Sequence, residues 1–412
     1  MKNFRKLLLS LALCCVSLIG IHQPASAATP QTTILLDEYP LAFPTPPTII
    51  NGTTMVPFRV ISEAMGIQVQ WEPNSRSITA IQATAQGDKT VWMQLNNPLV
   101  TVNGQTITLP VAPYETNGST LIPLRFFSEQ FGAQVGWDPA ARAVSITSPV
   151  RDMYGLAFYA ISSFSQRELI SSFDSVAFGW SRIDQDGNLT TTGKDFYWPK
   201  PAGDTTPEAI IDEAKMKAST PYLMVFAGDG SGELTALLEN ESLRQKAIAQ
   251  MIALAQEKGM SGIALDFEGL GMNGDTTGVK NKYNDFVRLL SAETRQRGMQ
   301  LTLILHPLNG AFQGYDYATL GQLADDIVVM AYAYENEKSP EPMNRVDEAI
   351  RLALAHVPKE KLILGISMGS ENEHSVKQKL GLAKRYNLKG YALWRLGLIS
   401  QAAMEQIKQS VR

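Results

Sequence analysis

The stretch Ser261-Gly262-Ile263-Ala264-Leu265-Asp266-Phe267-Glu268-Gly269 places an apolar run ahead of two carboxylates spaced i, i+2 and closed by glycine. Side chains alternate along a strand. Ile263, Leu265 and Phe267 therefore share one face, and Ala264, Asp266 and Glu268 share the other. Two carboxylates in one small, partly desolvated space cannot both ionise cheaply, so one keeps its proton near neutral pH. A protonated carboxyl is what general-acid catalysis requires. A solvated strand end with two unrelated acids is the competing reading, and the place of this strand in the fold decides between them.

Outward from it, residues 151–412 alternate apolar, β-rich runs with amphipathic helical runs. The runs predict strands at 154–161, 175–180, 222–226, 262–267, 300–306, 326–332, 361–368 and 390–394. The clearest helix spans 242–258, with Ser242 and Gln245 as a capping box and Gly259 in the C-cap place. Eight β-plus-α units in about 260 residues predict the α/β class and a (β/α)8 TIM barrel. An open doubly wound sheet would want a Gly-rich phosphate turn after its first strand, and none is present. Barrel chemistry sits at the C-terminal strand ends, which puts Asp266 and Glu268 at the mouth.

Residues 28–150 carry an internal repeat, predicting a smaller α+β domain made of a duplicated unit. Asn51-Gly52-Thr53-Thr54-Met55-Val56-Pro57-Phe58-Arg59 is echoed by Asn117-Gly118-Ser119-Thr120-Leu121-Ile122-Pro123-Leu124-Arg125, and the echo runs on to Trp71 and Trp137. Asn-Gly predicts a tight turn. The segment from Pro to Gly66 or Gly132 predicts a helix, and a short strand follows. On this pattern Trp71 and Trp137 are expected to pack in the core, with sugar stacking as the lesser reading, and Arg59 and Arg125 to tie the fold together rather than bind ligand. The V-P-x-R and G-x-x-V-x-W spacing resembles the copper amine oxidase N-terminal-like domain, which the resemblance makes an accessory stalk. No histidine or cysteine lies between Thr29 and Asp152, so the donor set does not fit a copper site.

At the N-terminus Lys2, Arg5 and Lys6 precede an apolar run from Leu7 to Ile21 and the small residues Ala25-Ser26-Ala27. This predicts a signal peptide over 1–27 and a secreted or cell-envelope protein. The apolar run is shorter than a spanning helix needs, and no later segment is long enough, so no membrane span is expected after cleavage. Both cysteines, Cys14 and Cys15, leave with the signal, so stability is expected from cores and not from disulfides. The net charge of −4 becomes more negative by the three lost cations. With no basic stripe, nucleic acid is not an expected partner.

The fourth strand resembles the D-G-x-D-x-D-x-E signature of family 18 glycoside hydrolases, in the branch found with spore and cell-wall proteins. The resemblance extends to the Asp186-Gly187-Asn188-Leu189 turn, to Asp326–Tyr332 and to Trp394-Arg395-Leu396-Gly397. It implies catalytic roles for Glu268 as acid/base, Asp266 as the carboxylate orienting a substrate acetamido group, and Tyr332 as that group's hydrogen-bond partner. It implies substrate contacts from Trp394, as the floor under the cleaved sugar, and from Met330. The implied activity is retaining, substrate-assisted hydrolysis of β-1,4 bonds in N-acetylglucosamine-containing polymers, peptidoglycan preferred and chitin second, with no metal or cofactor. Residues 28–150 would hold the enzyme to the cell wall. Ser261 and Ala264 stand where the signature has acids, and Ala333 where the sixth strand has Asp, with Tyr334 and Glu335 following. These departures support the alternative of a catalytically weak or inactive glycan-binding wall protein. His306 and Trp180, each at a predicted strand end, are further substrate-binding candidates, with core packing an equal reading for His306 and the favoured one for Trp180.

Overall fold

The computed structural model describes residues 32–84, 87–272, 274–334 and 337–412. The expected signal peptide and Glu335 lie outside them. Eight parallel strands run Tyr154–Ala160, Ser175–Ile183, Thr220–Ala227, Gly262–Phe267, Gln300–Leu305, Asp326–Val329, Leu362–Ser367 and Gly390–Trp394. Each pairs with the next, and the first pairs with both the second and the eighth, which closes the barrel. The predicted strands are all present, the sixth ending at Val329 rather than at 332.

Two apolar layers follow from strand alternation. Ile263, Leu265 and Phe267 face the helices, in a layer with Tyr283, Phe286 and Val287. Ala264 faces inward with Phe158, Met224, Ile304, Val328 and Met330, so the barrel is filled rather than hollow. Helices begin on short polar residues that satisfy their first free N–H groups: Asp275 caps Gly278, Asp316 caps Thr319 and Ser400 caps Ala403. The helix expected from Ser242 begins earlier, at Glu241, because Asn240 is the N-cap and accepts from the Leu243 N–H. Gly259 has a φ of +61°, as its C-cap place requires.

The N-terminal domain is a dimer within one chain. Strands Thr53–Pro57 and Ser119–Pro123 pair antiparallel, with Pro57 opposite Leu121, Val56 opposite Ile122 and Met55 opposite Pro123. Exchanging the two repeats returns the same pairs, so a local two-fold passes between Val56 and Ile122. The flanking hairpins agree: Thr48 opposes Met55 as Tyr114 opposes Leu121. The repeats also trade strands. Thr33–Leu36 of the first joins Ala143–Thr147 of the second, while Leu99–Val102 of the second reaches the sheet of Gln68–Glu72 and Ser77–Gln82 through Lys89–Gln94. Trp71 and Trp137 correct the expectation of core packing. They lie on the edge strands of their sheets and are 37% and 43% exposed.

This domain rests on the barrel's helix Glu373–Arg385. The Arg385 guanidinium donates to the carbonyls of Leu36, Tyr39 and Pro40 at 3.1–3.3 Å. Glu38 pairs with Lys377 at 2.8 Å. No described helix is long and apolar enough to cross a membrane.

Candidate active site

The fourth strand delivers its carboxylates where alternation put them. Asp266 points into the barrel and is 4% exposed, while Glu268, one residue past the strand, is half-buried at the mouth. The turn that aims Glu268 is held from several sides. Its N–H donates to the Ala227 carbonyl at 2.8 Å. The Tyr315 hydroxyl donates to the Phe267 carbonyl at 2.8 Å. Gly269 follows at a φ of +87°, a conformation side chains with a Cβ disfavour.

Burial, and then the charge of Glu337, pushes the Glu268 carboxyl up to about 7. Burial, and then the charge of Glu268, raises Asp266 well above the usual carboxylate range. The two therefore titrate as a pair that holds a proton near neutrality. Asp266 Oδ1 has no hydrogen-bond partner among the described residues. A buried polar oxygen without a partner is costly, and one facing a barrel mouth is placed to accept from a ligand.

Tyr332 enters from the chain beyond the sixth strand. Burial, and then the charges of Asp266 and Glu268, raises its phenol, so the hydroxyl stays protonated and sits in the field of both acids. Met330 points into the packed interior with Ala264 and Val328 and is 3% exposed, so it underlies the mouth and offers little surface of its own. Trp394 is half-buried over the same interior, edge-on to Phe158 at 5.4 Å, and its peptide bond to Arg395 is cis.

His306 lies beside the acids, with Nε2 3.9 Å from Glu268 Oε2. Its ring packs on Phe312 at 4.3 Å. Burial lowers the imidazole to about 4, so it is neutral around pH 7 and lies beside Glu268 with neither an ion pair nor a hydrogen bond to it. Trp180 does not belong to the site. It is 2% exposed on the helix-facing side of the second strand, against Phe178 at 4.6 Å and Trp198 at 5.2 Å. The inward positions of that strand are small, Ala177 and Gly179, and a Cβ on Gly179 would come within 2.8 Å of Ala160 Cβ.

Sequence reading missed three contributors. Phe196, from the loop after the second strand, stacks on Phe226 at 4.4 Å and reaches to 6.2 Å from Trp394, extending the aromatic floor. Glu337 adds negative charge facing Glu268. Glu341 accepts from the Ala333 N–H at 2.8 Å, holding the segment after Tyr332. Ala333 is exposed at a φ of +57° and carries no carboxylate to the mouth.

Comparison with known proteins places this geometry. The model of the glycosyl hydrolases family 18 matches residues 156–371, more than half of the chain. The chain belongs to glycosyl hydrolases family 18. The model of the copper amine oxidase N-terminal domain matches residues 35–146. A cortical fragment-lytic enzyme of Bacillus anthracis is 27% identical over 150 residues, 34% of this chain and 33% of that one, so the match spans about a third of the relative's length. A chitinase from Chromobacterium violaceum superposes with a TM-score of 0.53 at 22% identity, covering 62% of this chain and 98% of that one. The Bacillus cereus spore cortex-lytic enzyme SleL gives 0.53 at 16% identity, covering 65% and 76%. At these identities the structures show a shared fold. Within the family 18 frame, Ala264 leaves Asp266 without an acidic neighbour deeper in the barrel, and among the described residues Glu268 is the acid that remains beside it.

Proposed function

We propose that the chain is an exported glycosidase that cuts β-1,4 bonds of peptidoglycan next to N-acetylglucosamine, with residues 28–150 holding it to the wall. The observation that carries the reading is one carboxyl kept protonated near neutrality, Glu268, beside a buried, partner-seeking carboxyl, Asp266. In the proposed reaction the substrate's own acetamido oxygen attacks the anomeric carbon while Glu268 gives its proton to the leaving oxygen. The resulting carboxylate then takes a proton from water, which attacks the same carbon and restores the acetamide. Retention follows from two inversions. Asp266 Oδ1 accepts the acetamide N–H, and the Tyr332 hydroxyl donates to its carbonyl. Trp394 and Phe196 form the floor beneath the sugar.

Peptidoglycan is preferred over chitin on the strength of the cortical fragment-lytic relative. Mass spectrometry of muropeptides after incubation tests the reading. New reducing ends on N-acetylglucosamine, abolished by Glu268→Gln, are expected; new ends on the other sugar would overturn the bond assignment. The missing acids at 264 and 333 favour a second reading, a barrel that binds N-acetylated glycan with little turnover. Saturable binding with no Glu268-dependent release would select it.

A further inference from the structure

The duplicated domain presents two matching cavities, one of about 400 Å³ and one of about 290 Å³. Both are built across the duplication. The larger is walled by Trp137, Arg125 and Pro123 of the second repeat, facing Thr53 and Thr54 of the first. The smaller is walled by Trp71, Arg59 and Pro57 of the first repeat, facing Ser119 and Thr120 of the second. Each residue of one set has its repeat equivalent in the other, so the local two-fold generates one cavity from the other.

Each carries an exposed indole, a guanidinium and a pair of hydroxyls beside prolines, and they differ where Ile49 lines the larger and Glu115 the smaller. Arg125 is held in place by the Val135 carbonyl at 2.8 Å and by Glu129 at 3.2 Å. At the other cavity Glu115 is paired with Arg76 at 3.2 Å. The acids at both rims are thus paired, and the cavities offer an aromatic face with hydrogen-bond donors and acceptors. That combination suits a neutral ring with an apolar face and equatorial polar groups. Core packing does not account for the tryptophans, because they remain exposed.

We infer that these cavities are twin glycan-binding sites, each stacking a hexosamine unit of peptidoglycan on Trp71 or Trp137. A repeating polymer is the occupant that offers the same unit to two equal sites; a single protein partner does not. The inference rests on the wall-holding role proposed above for residues 28–150 and supplies its contact residues. Two sites on one rigid domain raise the apparent affinity for a polymer beyond that of either alone.

The test uses the full chain carrying Glu268→Gln, so that the wall is not digested, sedimented with purified peptidoglycan sacculi. Trp71→Ala and Trp137→Ala should each weaken binding about tenfold, the loss of one aromatic platform. The double variant should weaken it about a hundredfold or more as avidity is lost. Trp71→Phe with Trp137→Phe should retain most of the binding. Thr53→Arg with Ser119→Arg blocks both cavities from the opposite wall, leaves both indoles in place, and should reproduce the double loss. Sedimentation of the Trp double variant and of this blocked variant as fully as the parent would overturn the twin sites while leaving wall association to another face. Failure of the parent itself to sediment would overturn the wall-holding role as well. A parent dimer in ultracentrifugation that the blocked variant abolishes would assign the cavities to self-association and overturn the glycan inference.

Discussion

At the residue scale the chemistry turns on where protons sit. Glu268 has a folded-state pKa of about 7 because burial and Glu337 disfavour its charge. In the proposed reaction its protonated form is the proton donor, so kcat should fall as pH rises above about 7, approaching tenfold per unit. Replacing it with glutamine should lower kcat by about 10²–10⁴. The same shift bears on stability. A carboxyl whose pKa is raised by folding stabilises the folded state while protonated, fully below about 4.5, and that contribution is lost as pH rises through about 7. Glutamine cannot ionise. Glu268→Gln should therefore melt with the parent at pH 4 and above it at pH 8, and equal melting temperatures at pH 8 would contradict the shift. His306 supplies an independent check. Held neutral by burial down to about 4, its ring should show no titration by NMR between pH 5 and 8. A midpoint near 6.5 would show that it is solvated and not packed between Phe312 and Glu268.

At the scale of elements, the segment carrying Tyr332 is steadied by charges far from the carboxyl pair. Lys379, inside the helix Glu373–Arg385, pairs with Glu371 at 2.8 Å, and neither side chain is exposed. Glu371 accepts from the Glu341 N–H at 3.2 Å, and Glu341 accepts from the Ala333 N–H. Removing one member of a buried pair leaves the other charge uncompensated, at a cost of about 3–5 kcal/mol. Lys379→Met should destabilise by that amount in denaturant titration and also reduce kcat, because the anchor of the Tyr332 segment loosens. Lys379→Met with Glu371→Gln should recover most of the stability; no recovery would mean that packing, not charge, sets the cost. None of this network was legible in the sequence, since Ala333 and Glu341 come from one connection, Glu371 from another and Lys379 from a helix. The eight barrel strands were legible, because buried parallel strands are continuous apolar runs, and so was the inward aim of Asp266, which needs only alternation. Alternation says which residues share a face but not whether the face is covered. The Trp71/Trp137 pair was misread for that reason, and Trp180 stayed a substrate candidate beside its favoured core reading because the strand alone does not show the helices that cover it. The start of the helix at Glu241 was misplaced because Asn240 and Ser242 are both capping residues, and only the backbone chooses between them.

At the scale of the whole molecule, one helix joins the two folded parts. The face of Glu373–Arg385 that carries Lys377 and Arg385 meets the N-terminal domain, while Lys379 reaches back toward the loops at the barrel mouth. Arg385 makes three donations to carbonyls and covers the Tyr39 ring at 5.3 Å. Arg151 adds a donation to the Met65 carbonyl at 3.0 Å. Hydrogen bonds from a charged donor contribute about 1.5–3 kcal/mol each when partly buried, and those of one guanidinium are not independent. Arg385→Ala should therefore weaken the junction by about 2–4 kcal/mol. The parent should melt in a single calorimetric transition, because each part unfolds with the junction that both share. The variant should melt in two, since each part has its own apolar core and can unfold alone once the clamp is gone. A parent that already melts in two steps would mean that the domains are coupled loosely. In that case a wall-bound N-terminal domain would tether the barrel without fixing the direction its mouth faces.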